Sequence, residues 1–188
     1  MAITIDGTAG ITFPNSTTQS GGGLVVGSSS PVTRGTSVAS TSGTSIDFTG
    51  IPSWVKRITL IFNDVSLNGT AHLLVQIGVN TTPTTSGYLS GSSYALINSS
   101  ATLGITSTAG YCMYMGTATY AIYGTMTLTN ISGNNWVCSG LIANTNILPY
   151  TGQAGGNGSL SGTLGMVRIT TTNGTNTFDN GTINILYE

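Results

Sequence analysis

Turn sequences divide this chain into short runs in which apolar and polar residues alternate. No window of about 11 residues carries a helical period, and the strong helix formers Glu, Lys and Gln are nearly absent. Turn signals recur about every 8–12 residues, a spacing typical of β-sandwiches and barrels, and include Asp6-Gly7, Asn68-Gly69, Asn173-Gly174 and Asn180-Gly181. The pattern predicts an all-β protein with a β-sandwich or jelly-roll-like domain.

The clearest strand covers residues 55–65. Ile58, Leu60 and Phe62 fall on one face of it, and polar residues alternate on the other. The period of two therefore predicts which face of this strand enters the core.

Three further segments are interpreted from their turn residues. Asn68-Gly69 predicts a hairpin that returns along residues 73–79. Residues 81–92 and 152–158 are rich in Gly, Ser and Thr, so both are expected to be loops.

Charge is unusually scarce, and this scarcity limits the classes of function. Only 5% of the 188 residues are charged and the formal net charge is -1, whereas a typical domain is about 25% charged. Four basic residues cannot neutralise a phosphate backbone, which argues against a nucleic-acid partner. One His and five acidic residues argue against an enzyme and a metal site, and no cofactor motif is present. We expect other subunits to cover part of so neutral a surface.

The segment 1–30 differs from the rest of the chain. Ile3, Ile5, Ile11 and Phe13 alternate with Thr and Gly as in two short strands, and a Gly/Ser-rich linker follows. We interpret 1–30 as a docking arm that pairs with a neighbouring protein, and 31–188 as the β-sandwich module. The N-terminus lacks a basic, apolar signal sequence and no run is long enough for a membrane span, so synthesis in a cytoplasm is expected.

The candidates for chemistry each have a simple structural alternative. His72 is the single histidine and no nucleophile motif surrounds a serine, so a structural role is favoured. Cys112 and Cys138 lie in strand-like segments and are either free thiols or a disulfide. Asp64 and Asp179 each adjoin an asparagine; they are turn-capping residues or part of a calcium site.

The tyrosines are the best candidates for ligand binding. A tyrosine ring offers an apolar face and a hydroxyl, which suits a sugar without requiring charge. Tyr88, Tyr94 and Tyr150 lie in or near expected loops, and they either bind a glycan or pack in the core.

Two passages of the chain resemble tailed-phage virion proteins, especially the distal ends of tail fibres. The first is residues 3–19 (ITIDGTAGITFPNSTTQ); the second is the body, which opens with residues 51–70 (IPSWVKRITLIFNDVSLNGT) and closes with residues 160–188 (LSGTLGMVRITTTNGTNTFDNGTINILYE). The resemblance implies a β-rich, trimeric surface module of a phage particle. Fibres of this family usually carry a long shaft before the module, whereas only about 30 residues precede it here.

Two non-enzymatic functions follow from these observations. The chain is either a short tail fibre or fibre tip that attaches to a host glycan, or a capsid decoration protein whose arm grips the head. In both cases the expected partners are further copies of the chain and other virion proteins. A glycan-degrading enzyme would require a carboxylate pair, and the acids are scattered.

Overall fold

The structure is a computed structural model that describes residues 32–96, 100–118, 120–144 and 149–188, with the backbone of 4–6, 10–12 and 18–19. Every helix-or-strand element within these ranges is a β-strand. All strand pairs are antiparallel. The prediction of an all-β protein is therefore confirmed for the described part of the chain.

Packing divides the chain into two compact units, Met1–Pro31 and Val32–Glu188. The described residues of the first unit form three short antiparallel strands: β1 (Thr4–Asp6), β2 (Gly10–Thr12) and β3 (Thr18–Gln19). Ile5 of β1 lies opposite Ile11 of β2. Ile3 and Phe13, the other two predicted docking residues, lie outside the described residues.

The second unit contains fourteen described strands. The first seven are β4 (Thr33–Arg34), β5 (Val38–Ala39), β6 (Ser45–Thr49), β7 (Arg57–Leu67), β8 (Leu73–Val79), β9 (Thr82–Pro83) and β10 (Leu89–Leu96). The others are β11 (Thr102–Ser107), β12 (Tyr111–Met113), β13 (Ile122–Ser132), β14 (Asn135–Asn144), β15 (Tyr150–Ser159), β16 (Leu164–Thr171) and β17 (Phe178–Tyr187).

These strands form two antiparallel sheets in the described part of the unit. The larger sheet has the order β11-β10-β15-β14-β13-β7-β17-β4, and β5 also pairs with β17. The smaller has the order β12-β8-β16-β6, and β9 also pairs with β8. Buried side chains of both sheets belong to one hydrophobic cluster, an arrangement consistent with a sandwich.

The strand predicted at 55–65 is present as β7. Ile58, Leu60 and Phe62 are at most 2% exposed, so the predicted buried face is confirmed. Removing such side chains from water is the main favourable term in folding, about 1.5–3 kcal/mol for each.

The hairpin predicted at Asn68-Gly69 is wrong. β7 pairs with β13 and β17, whereas β8 pairs with β12, β16 and β9, so the chain crosses between sheets at 68–72. Asn68 bonds to Thr177 instead: its side-chain oxygen accepts from the Thr177 amide at 2.9 Å, and its own amide donates to the Thr177 carbonyl.

The two expected loops are also wrong in part. The glycine-rich segment 152–158 lies inside β15, paired with both β10 and β14. A Cβ on Gly158 would lie 2.8 Å from the Tyr88 ring, so here glycine lets the strand approach the core closely. Residues 81–92 likewise include β9 and the start of β10.

Candidate binding cleft

Tyr88 is a structural residue of the core. Its side chain is 1% exposed. The hydroxyl accepts a hydrogen bond from the Ile77 amide at 2.9 Å and donates to the Thr84 carbonyl at 3.0 Å. Burial raises the pKa of this phenol to about 12, so the group remains a neutral donor at any ordinary pH.

Tyr94 and Tyr150 are buried as well, 6% and 0% exposed. Their ring centroids are 4.7 Å apart, and the Tyr150 hydroxyl donates to the Met115 carbonyl at 3.1 Å. Burial also raises the pKa of Tyr150. Of the two alternatives for Tyr88, Tyr94 and Tyr150, the structure favours core packing: all three side chains are buried, and the hydroxyls of Tyr88 and Tyr150 bond to backbone groups.

His72 packs at one end of a row of aromatic rings that continues through Tyr114 and Tyr94 to Tyr150. Its ring centroid lies 4.3 Å from that of Tyr114, which is also 4.3 Å from that of Tyr94. The imidazole Nδ1 accepts from the Met115 amide at 3.2 Å. Burial lowers the pKa of His72, so the neutral ring that this bond requires is the favoured form.

Cys112 and Cys138 are buried free thiols. Burial raises the pKa of both, that of Cys138 to about 12. A thiol nucleophile needs a lowered pKa and access to solvent, and these side chains have neither.

Asn180 bonds to Asp64, so the two segments considered for a calcium site lie close together. Their carboxylates, however, are already engaged by hydrogen bonds within the chain. The Asp64 carboxylate accepts from the Tyr123 hydroxyl at 2.6 Å and from the Asn180 amide at 2.9 Å. Asp179 accepts from the Ser66 hydroxyl. Among the described residues, no three His, Cys, Asp or Glu side chains are grouped as metal ligands.

A different part of the second unit has the geometry of a binding cleft. It has a volume of about 380 Å³ and lies where β4, β5, β6 and β17 approach one another. Ligand pockets usually occupy about 300–1,000 Å³. Phe48, Ile51 and Ile185 line it and are at most 9% exposed, so its apolar lining is already packed in the free chain.

Glycine permits one wall of this cleft. A Cβ on Gly35 would lie 2.4 Å from the Ile185 side chain, and the Gly35 amide donates to the Ile185 carbonyl at 2.7 Å. A side chain at position 35 would require either the Ile185 side chain or the segment after β4 to shift. The close approach therefore holds Arg34 and Thr36 at the cleft.

Beside this wall lies an aromatic pair, of which Trp54 is exposed and Tyr187 is half-buried. Tyr187 lines the cleft, and its ring centroid lies 6.0 Å from that of Trp54 at 48°. Trp54 is 41% exposed. It is held in a turn in which the Val55 amide donates to the Pro52 carbonyl at 3.1 Å, so the indole is positioned at the surface by backbone bonds.

One of the residues that line the cleft is a cation, Arg34, whose side chain is exposed to solvent. Arg34 is exposed, and no hydrogen bond or ion pair joins its side chain to another of the described residues. Asp47 also lines the cleft, but Arg168 holds its carboxylate through two bonds of 2.7 and 2.6 Å. The carboxylate in turn raises the pKa of Arg168. The guanidinium of Arg34 is thus available to an external acceptor.

Together these groups offer stacking, apolar contact and hydrogen bonding on a surface with little charge. Sequence reasoning missed the cleft, although one signal was present: a Trp directly after Pro52-Ser53 stands in a turn, where burial is difficult. Tyr187 and Arg34 gave no such signal, because they are far apart in sequence and only the pairing of β17 with β4 brings them to the same cleft.

No protein family, curated protein or solved structure matches this chain. In the part of the chain that the structure describes, no helix has the length and apolar character needed to cross a bilayer.

Proposed function

We propose that this chain is a non-enzymatic virion surface protein of a tailed phage, a short tail fibre or fibre tip that attaches to a host glycan. The observation that carries the attachment role is the exposed Trp54, paired with the half-buried Tyr187, beside a cleft that both polar and apolar residues line. The resemblance of residues 3–19, 51–70 and 160–188 to virion proteins supplies the virion setting.

The chemistry of the cleft favours a sugar with an acid group. The C–H face of a sugar ring stacks on Trp54 or Tyr187, while Thr36 and Thr49 bond to ring hydroxyls. Arg34 pairs with the carboxylate of a uronic or similar acid, because a guanidinium binds such a group through two parallel hydrogen bonds. Asp47 does not oppose this binding strongly, since Arg168 already neutralises its charge.

In this proposal the body is a jelly-roll-like module that assembles as a homotrimer, and residues 1–30 dock on the tail. Several copies on one particle multiply a weak sugar affinity through avidity. The low charge of the chain supports coverage of its surface by neighbouring subunits.

The attachment role is tested by binding to an array of bacterial surface polysaccharides that includes uronic-acid polymers. We expect Trp54→Ala and Arg34→Ala to reduce binding at least tenfold, while Leu103→Ala, an exposed position on β11, retains it. Equal polysaccharide binding by Trp54→Ala and the parent chain would exclude the cleft as the binding site. Normal host adsorption by particles that lack the protein would eliminate the attachment role itself.

Capsid decoration is the second candidate, and one observation favours it. The described strands of the first unit are only two or three residues long, and such short strands gain little stability from one another. Such strands suit addition to the sheet edge of a neighbouring protein. Copy number separates the candidates: hundreds of copies per particle by gel densitometry indicate decoration, and a few tens or fewer indicate a tail protein.

A further inference from the structure

A groove crosses the outer face of the larger sheet, at the opposite end of the strand order from the cleft. Thr106, Gly91, Gly155, Ser139 and Thr127 are successive register partners on β11, β10, β15, β14 and β13. Two adjoining clefts of about 630 and 640 Å³ lie along β10 and β11, and both are lined by Gly91 and Thr106. Gly155 also lines the first of them, so the part of this row on β11, β10 and β15 is the floor of a shallow, open depression.

The folded chain itself does not require glycine at the centre of this floor. A Cβ on Gly91 would meet nothing nearer than the Ile105 carbonyl at 3.8 Å, and one on Gly155 nothing nearer than the Cys138 carbonyl at 3.8 Å. Neither residue has the left-handed backbone that favours glycine. Glycine weakens a strand interior, so its presence here indicates close approach by something outside the chain.

Ridges with exposed leucines border the groove. Leu89 stands in the row Leu89–Asn157–Val137 on one side, and Leu141 in the row Ser93–Gln153–Leu141 on the other. The two leucines are 69% and 62% exposed. The same face therefore carries both a groove and projections of a size to fill it.

The absence of charged residues from this face restricts the kind of partner that can bind it. No Asp, Glu, Lys or Arg occurs between Asp64 and Arg168, a range that includes all of β10, β11, β13, β14 and β15. A charged partner surface would lose water here without gaining an ion pair, which is costly. A second copy of the same face has no charge to leave unpaired.

The size of the face also suits a stable contact. Five strands at a spacing of about 4.8 Å, each about eight residues long at about 3.3 Å per residue, present about 600 Å² in projection. A standard interface buries about 800 Å² of accessible surface on each partner, so the two values are of the same order.

We propose that this outer face is the contact between copies of the chain, with the leucine ridge of one copy in the glycine-floored groove of the next. The proposal specifies the assembly part of the proposed function and does not depend on the glycan cleft.

The test is the molar mass of the full chain by light scattering at a concentration of tens of micromolar. The parent chain is expected at a multiple of 19.1 kDa. Gly155→Val adds a side chain to the floor at a position where a Cβ meets nothing nearer than 3.8 Å, and we expect it to shift the mass to that of one chain. Leu141→Asp, which puts a charge on the ridge, is expected to do the same. Ser45→Asp, which adds a carboxylate to an exposed position on β6 of the other sheet, is the control and should remain associated.

A parent chain that is monomeric, or variants Gly155→Val and Leu141→Asp that both keep the parent mass, would overturn the proposal. Far-ultraviolet circular dichroism on each variant identifies a loss of fold, and Gly155→Val is the variant least exposed to that loss. Trp54→Ala should associate normally, and monomeric Gly155→Val should retain polysaccharide binding per chain. Failure of the contact and failure of the cleft are therefore distinguishable.

Discussion

The backbone amide of Met115 donates a hydrogen bond to Nδ1 of His72 over 3.2 Å. An imidazolium carries a proton on both ring nitrogens and cannot accept this bond. The protein thus uses its single histidine, held against Tyr114, as a neutral acceptor for a segment that leaves β12.

This relationship predicts a pH dependence of stability. Burial holds the pKa of His72 below its ordinary value of 6.5, so the unfolded chain binds the proton more readily. The stabilisation is complete above about pH 6.5 and is lost as the pH falls from there through the folded-state pKa. Urea unfolding at pH 5, 6, 7 and 8 should show this decline in the parent chain. His72→Gln should be less stable at pH 8 and nearly flat between pH 5 and 8; a parallel decline in both chains would contradict the assignment.

Because the Gly181 backbone lies so close to that of Asp64, we predict that position 181 tolerates no side chain. Gly181 has φ +95° and a Cβ there would lie 2.3 Å from the Asp64 carbonyl oxygen, while Gly174 has φ +67° with nothing within 4 Å. Gly174→Ala carries only the cost of left-handed backbone, roughly 1–2 kcal/mol. Gly181→Ala adds a clash, for a total of roughly 2–5 kcal/mol. Denaturant unfolding of the two variants measures the difference, and equal losses would contradict the close approach.

Tyr88→Phe should destabilise the protein by about 1–3 kcal/mol, because it leaves the Ile77 amide and the Thr84 carbonyl without the hydroxyl that bonds both. Tyr123→Phe is the matched control. Tyr123 is 37% exposed, so water can replace its hydroxyl beside Asp64 and the loss should be smaller. Thermal unfolding of both variants gives the comparison; a larger loss for Tyr123→Phe would show that Tyr88 is not a structural donor.

Cys112 and Cys138 should be unreactive in the folded protein at pH 8. Burial both shields the thiols and raises the pKa of Cys138 to about 12, so the thiolate needed for attack is scarce. A chromogenic disulfide reagent should label neither cysteine in the folded chain and both in guanidinium chloride. Absence of labelling in denaturant would indicate a disulfide, and rapid labelling of the folded chain would show that the thiols are accessible.

The local pattern predicted strands well where apolar residues are frequent. Residues 73–79 match β8, and the alternation around Ile58 and Leu60 predicted the buried face of β7. It failed at 152–158, because glycines inside a sheet and glycines in a loop look alike in sequence. Only the approach of Gly158 to Tyr88 shows why a strand carries them.

By itself, the sequence determined that the chain is all-β and which side of each alternating strand enters the core, because side chains in a strand point to opposite faces with a period of two. The tertiary structure alone decided that β7 and β8 belong to different sheets, that Tyr88, Tyr94 and Tyr150 are sealed inside, and that Trp54 and Tyr187 meet beside a cleft. The reason is that backbone hydrogen bonds between strands are chemically the same for almost any residue. The choice of partner depends on how distant apolar faces pack together, which no local pattern contains.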